Sequence, residues 1–233
     1  RAAEAFVEPA VLSLAVAGAR FVLLGETHDN ADHHLLQAYL VSEATKRAEG
    51  DARRPALVLE MLPTDLQPKV SAFEAEGRAA PAFGEAVDWA GLGWRDYAIY
   101  RPVIAAALDA DLPIRAGDTP RDERRKVARE GVSALGLERA VALGLDRSLG
   151  PEREAAMLDT LEQGHCGLMP RESLSPLLLV QRLRDATLAD TMLAADAASG
   201  QGAVLIAGTG HVRRDLGVPW YLAARAPELA GEG

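Results

Sequence analysis

Two short motifs share one pattern, a glycine, two further residues and a histidine: Gly25-Glu26-Thr27-His28 and Gly208-Thr209-Gly210-His211. Glycine lets the backbone turn sharply and lets a ligand come close to it. Histidine binds a metal through a neutral ring nitrogen, or exchanges protons near neutral pH. One such motif arises readily by chance, and its histidine reads first as a side chain that hydrogen-bonds its own turn. Glu60 resists that reading. It follows Leu57-Val58-Leu59, and an unpaired carboxylate at the mouth of a buried strand is costly, so it calls for a partner, a metal or a functional role. Taken together, Glu26, His28, Glu60 and His211 open two kinds of chemistry. They could bind a divalent cation, with zinc, manganese and iron fitting equally, or supply the acid and base of a hydrolase.

Three further places carry chemistry-bearing residues. Trp94, Tyr97 and Tyr100 recur every three residues in a chain with few aromatics, as one face of a helical turn does. Core packing is the default reading, and a stacking or ligating surface for a flat ligand is the sharper one. Arg95 and Arg101 beside them could pair with carboxylates. His33 and His34 follow His28 by about a turn, so one of them faces the same edge and the other faces solvent. Cys166 sits next to His165, but adjacent residues point in different directions, which leaves Cys166 without a base to activate it.

Short apolar runs at 20–24, 55–59 and 202–207, and a weaker one at 112–116, each lead into a polar or glycine-containing turn. Continuous runs of this length predict strands buried on both faces, as in a parallel sheet. Helical spacing is expected at 32–48, 64–77, 97–110 and 172–198, which gives strand-helix-strand alternation. The stretch 121–170 offers no strand. The expected architecture is therefore α/β, a mostly parallel β-sheet flanked by helices with a small all-helical subdomain, the sheet domain comprising 1–120 and 171–233. Ligands of open parallel sheets bind outside the carboxyl ends of the strands. Those ends present Glu26 with His28, Glu60, Asp118 and His211, residues far apart in the chain that such a fold gathers at one edge.

Composition narrows the partners. The chain has 233 residues, 48% hydrophobic and 25% charged, enough for a good-sized core. Its formal charge is -9 and no basic stripe offsets it, while the run at 121–129 mixes both signs as a solvated helix face does, so nucleic acid is not an expected partner. With a single cysteine no intrachain disulfide forms. No apolar run reaches the roughly 18 residues that span a bilayer. The sequence starts at Arg1, and a removed signal or lipidation segment is expected before it.

Motifs along most of the chain also carry a family resemblance. They are Gly25-Glu26-Thr27-His28-Asp29-Asn30 with His34, then Val58-Leu59-Glu60-Met61, Trp94 through Pro102, Gly164-His165-Cys166-Gly167, the run Gln181 to Ala186, Ala207 through Arg213, and Gly217-Val218-Pro219. In this order, over about residues 20 to 220, the sequence resembles the ChaN-like haem-binding uptake proteins. These belong to a wider superfamily with paired Gly-x-x-His motifs that includes erythromycin esterase and Tiki-type proteins, some of them metal-dependent hydrolases. The resemblance implies haem binding without turnover, in iron uptake, by a lipoprotein at the bacterial outer membrane or in the periplasm. It further implies haem held at a homodimer interface, a tyrosine ligand to the iron and a histidine near the propionates, with an outer-membrane haem receptor as a further partner. By motif position the ligand is Tyr100 or Tyr97, His28 and His211 contact propionates, and Arg95 and Arg101 assist. The competing reading is a metal-dependent hydrolase built on Glu26, His28, Glu60 and His211.

Overall fold

The computed structural model describes residues 7–48, 54–164 and 169–227. Its strands are β1 (Phe21–Glu26), β2 (Ala56–Pro63), β3 (Ile114–Asp118) and β4 (Ala203–Gly208), all parallel and ordered β1-β4-β2-β3. β4 is wholly buried and β2 nearly so, because helices cover both faces of the sheet. Side chains alternate between the two faces with period two. Leu57, Leu59 and Ile206 pack on one side with Phe73, Tyr100 and Ile104, whereas Val58 and Leu205 pack on the other with Leu183, Leu188 and Met192.

One strand runs further than its apolar run suggests. Expectation ended β2 at Leu59 and put Glu60 in the following turn; the strand continues through Glu60 to Pro63, since Met61 and Leu62 are fully buried in their turn. Leu59 pairs with Ala116 and Pro63 with Asp118, so β2 spends more residues than β3 over the same distance and bulges there. A bulge re-aims the side chains it carries, and here it carries Glu60.

Local capping places the site residues on β1's exit. The side chain of Asn30 accepts from the backbone N–H groups of Asp32 (3.0 Å) and His33 (3.3 Å), starting the helix Ala31–Ala44 immediately beyond His28. Asp96 does the same for the helix Tyr97–Asp109, accepting from the Ala98 N–H at 2.9 Å. Past β3, the helices Arg121–Glu130, Leu137–Ala142 and Pro151–Gly164 follow one another with no strand between them among the described residues. Val127, Leu143 and Leu145 join the same apolar cluster as β4, while Met157 packs with Leu149, Leu178 and Leu216 in a smaller one. The long helix Ser175–Ser199 then leads back to β4 across the sheet.

Candidate functional site

Glu26 ends β1, Glu60 rides the β2 bulge, Asp118 ends β3 and His211 follows β4, and all four are 5% exposed or less. Burial this deep requires each charge to be answered. Glu60 Oε1 accepts from Arg184 Nη2 at 2.7 Å and faces His211 Nε2 at 3.2 Å, and its Oε2 accepts from the Gly208 N–H at 2.6 Å. Arg184 Nε also donates to Asp118 Oδ1 at 2.9 Å, and Arg124 reaches the other Asp118 oxygen at 3.1 Å. His211 Nδ1 donates to Asp185 Oδ1 at 2.6 Å. Both His211 nitrogens therefore face carboxylates, which makes the ring an imidazolium. Burial works against that charge, but Glu60 and Asp185 outweigh it and push the His211 pKa up to about 10. For Glu60 the balance runs the other way. Burial favours its neutral form, and the charge and hydrogen bond of His211, with Arg184 and the Gly208 N–H, hold it well below the usual carboxylate range.

A second network surrounds Glu26. His28 Nδ1 donates to Glu26 Oε1 at 2.8 Å, and the Tyr100 hydroxyl donates to the same oxygen at 3.0 Å. His34 Nδ1 lies 3.2 Å from Glu26 Oε2 and 3.0 Å from Gln37 Oε1, with its Nε2 3.3 Å from the His28 carbonyl. Every neighbour of the His34 ring is an acceptor. Burial lowers its pKa, but the hydrogen bond and charge of Glu26 raise it further, so the net shift is upward. Burial likewise opposes ionisation of Glu26, and His28 and His34 overcome it, holding that carboxyl at about 2. His33 accepts the Thr27 N–H on its Nδ1 at 3.0 Å and so fastens the turn that carries His28. The buried histidine of the pair is thus His34, and His33 is the half-buried one.

These networks floor a cleft of about 580 Å³. Glu26, His28, Glu60, Arg184 and His211 line it from the sheet edge, and Met157, Thr160 and Leu161 of the helix Pro151–Gly164 line it as a wall, with Leu216. Arg213 donates to Thr160 Oγ1 at 2.9 Å, tying the turn after β4 to that wall. A Cβ at Gly208 would stand 2.8 Å from His28 Nε2 and 3.6 Å from Glu60 Oε2, so this position has room for glycine alone unless the imidazole moves.

The aromatic segment abuts this cleft from behind without lining it. Tyr97 borders a separate cavity of about 530 Å³ with Trp89, Trp94 and Arg95, and its hydroxyl donates to the Ala80 carbonyl at 2.5 Å. Tyr100 is 1% exposed and its hydroxyl is spent on Glu26. Burial raises the pKa of both phenols, and the charge of Glu26 raises that of Tyr100 further. Arg95 is exposed and pairs with Asp29 at 3.6 Å, and Arg101 is exposed as well. The structure thus gathers Glu26, His28, Glu60 and His211 at the cleft, and leaves Tyr97, Tyr100, Arg95 and Arg101 off its lining. His165 and Cys166 lie outside the described residues.

A divalent-metal centre does not fit the floor. Both Glu60 oxygens already answer donors, both His211 nitrogens face carboxylates, and the cations Arg184 and His211 occupy the ground a metal ion would neutralise. Among the described residues no group of three or more His, Cys, Asp or Glu side chains is placed to hold a metal ion. Sequence reasoning named the run Gln181 to Ala186 only as a motif of the resemblance and gave no site role to Gln181, Arg184 and Asp185, which project from one face of the long helix; the Gln181 amide stands 3.0 Å from His211 Nδ1. The signal that could have found them was the partner that Glu60 demands.

Comparison with known proteins agrees with the fold. Among solved structures the chain is similar to one described as "Cofacial heme binding to ChaN of Campylobacter jejuni", with a TM-score of 0.73, 18% identity, and 93% of this chain and 80% of that one covered. At that identity the likeness shows a shared fold. No curated protein matches the chain. A family model described as "Haem-binding uptake, Tiki superfamily, ChaN" matches residues 12–222, nearly the whole of the molecule described above. The chain belongs to that family, the ChaN haem-binding uptake proteins of the Tiki superfamily.

Proposed function

We propose that this chain binds haem in the cleft at the carboxyl edge of the sheet, in the service of iron uptake and without turnover. The observation that carries this reading is the mixed chemistry of the cleft. Leu161 offers half-buried apolar surface to a flat macrocycle, with Met157 and Leu216 packed behind it, while His28, Arg184 and Arg213 line the same space with a ring nitrogen and two guanidinium groups, Arg184 paired with Glu60 and Asp118 and Arg213 with Asp215. Its volume falls within the range of about 300–1,000 Å³ common to small-molecule sites. When bound, haem would supply an iron that accepts ligands, and the residues lining the cleft would hold, orient and shield it. The family description and the relative from Campylobacter jejuni support the choice of ligand.

Titration of the purified protein with hemin tests the reading. A saturable Soret band is expected, and hemin that behaves as it does in buffer alone would overturn it. To this reading we attach three further elements: a second copy of the chain closing the open side of the cleft, a location outside the cytoplasm as a lipid-anchored protein, and an outer-membrane haem receptor as the source of ligand. No helix among the described residues is long and apolar enough to cross a membrane.

A further inference from the structure

Large apolar side chains are spread unevenly over the surface. Among the described residues, six of the eight that stand exposed lie on or just before two neighbouring helices, Pro9–Gly18 and Ala31–Ala44: Val7, Val11, Leu14, Leu35, Leu36 and Tyr39. The first helix packs inward through Val16, with Leu12 beside it, on the apolar cluster that holds Leu40 and Val41 of the second. Val11 and Leu14 are three positions apart and share the side it turns to solvent, where Leu14 is 76% exposed. Leu35, Leu36 and Tyr39 form a matching stripe on the second helix. The Tyr39 hydroxyl lies 2.6 Å from that of Ser13, which joins the two stripes. None of the six lines the cleft. Scattered apolar side chains need no partner, but a contiguous apolar face marks a contact surface.

We propose that this face rests on a zwitterionic lipid bilayer, an inference that builds on the lipid-anchored location put forward above. The helix Pro9–Gly18 carries no charge in a chain that is one quarter charged. At ten residues, about 15 Å, it is too short to span a bilayer and suits the plane of its surface, its apolar side sunk about 5–10 Å toward the acyl chains. Tyr39, with an apolar ring and a bonded hydroxyl, is the residue type that sits at headgroup level. Reach favours the same occupant. Residues 1–6 lie outside the described residues and extend to at most about 20 Å, so a lipid attached next to Arg1 brings the membrane within that distance of Val7. Charge decides against two rivals. Glu8 and Asp32 stand exposed at the border of the face, so anionic headgroups are repelled. A second copy would bring its own net -9 against this one, whereas a zwitterionic surface brings no net charge.

Flotation of the unlipidated chain with phosphatidylcholine vesicles on a density gradient tests the contact. The wild-type chain is expected to float with the vesicles, and to do so equally at about 0.1 M and about 1 M salt, because an apolar contact is not screened. Leu14→Asp and Leu35→Asp should each lower the partition coefficient at least tenfold, the scale of one leucine withdrawn from an apolar phase. Both side chains are exposed, so the thermal midpoint and the hemin titration of these variants should match wild type. A wild-type chain that stays at the bottom of the gradient at high lipid overturns the proposal, as do variants that float as well as wild type. Self-association without lipid, lost in the same two variants, also overturns it and makes the face an interface between copies. The location is judged separately, by mass spectrometry of the native amino terminus. A terminus without lipid removes the anchored location, while the vesicle result still decides the face.

Discussion

Arg184 donates to Glu60 and to Asp118 from a position with only 16% of its side chain exposed, so its loss leaves two buried carboxylates without their cation. Arg184→Met is therefore expected to cost about 3–5 kcal/mol, the scale for removing one partner of a buried pair, as read from the denaturation midpoint. His211 provides a second check at this scale, through pH. Its proton is held to about 10 in the fold, against 6.5 for an ordinary histidine. A raised pKa contributes stability that is complete below the unfolded value and is lost as pH climbs to the folded one. Thermal stability should thus decline between neutral pH and about 10, and His211→Gln, less stable from the start, should flatten that decline. Glu26, His28 and His211 were legible as candidates because each follows an apolar run directly. Arg184 and Asp185 stood within a motif of the resemblance but gained no site role, because a charge within a helix reads as solvent-facing until one knows which face meets the sheet.

The elements explain why the edge takes the shape it does. The β2 bulge turns Glu60 into the cleft, and the long helix answers it with residues one turn apart, Gln181 and Arg184 with Asp185. Gly25 sits within β1 where a Cβ would come to 2.6 Å from Val212 Cγ2. Gly25→Ala should accordingly destabilise by about 1–3 kcal/mol, the range for overpacking a core, by urea denaturation. The wall helix contributes differently. Leu161→Asp replaces half-buried apolar surface on the cleft and should cut hemin affinity by about tenfold or more, since burying a leucine is worth about 1.5–3 kcal/mol. A hemin titration that matched wild type would remove the wall from the proposed seat. The four strands were readable from continuous apolar runs. The continuation of β2 was not, because a carboxylate in mid-run looks like a boundary, and only the burial of Met61 and Leu62 beyond it carries the strand on. The helix Pro9–Gly18 also went unread: its sequence is apolar on almost every side, so it lacks the periodicity that marks a helix in sequence.

Across the whole molecule, charges of both signs are balanced inside the cleft even though the chain carries a net -9. Two apolar clusters, one on each face of the sheet, hold that edge rigid. A chain of net charge -9 should repel an anionic ligand at long range, so raising the salt concentration should speed hemin association. The proposed assembly belongs to this scale too. Sedimentation of the protein alone is expected to give one copy, and sedimentation with saturating hemin two; an unchanged mass would remove the second copy from the proposal. Parallel pairing and helical covering could be foreseen from the alternation of strands and helices. Strand order could not, since the insertion of β4 between β1 and β2 is decided by contacts between residues about 150 to 180 positions apart.

β4 occupies the middle of the sheet, between β1 and β2, yet it is the last of the four strands to be synthesised. During translation β1 must wait with an unsatisfied edge through about 176 residues and β2 through about 139, and parallel pairing over such separations is slow. Chains halted before Ala203 should be unable to close the sheet and should be captured by chaperones or aggregate through those open edges. Emergence of β4 from the ribosome completes the sheet and, with Gly208 and His211, the ligand seat in one step, so the nascent protein should acquire stability and hemin competence together.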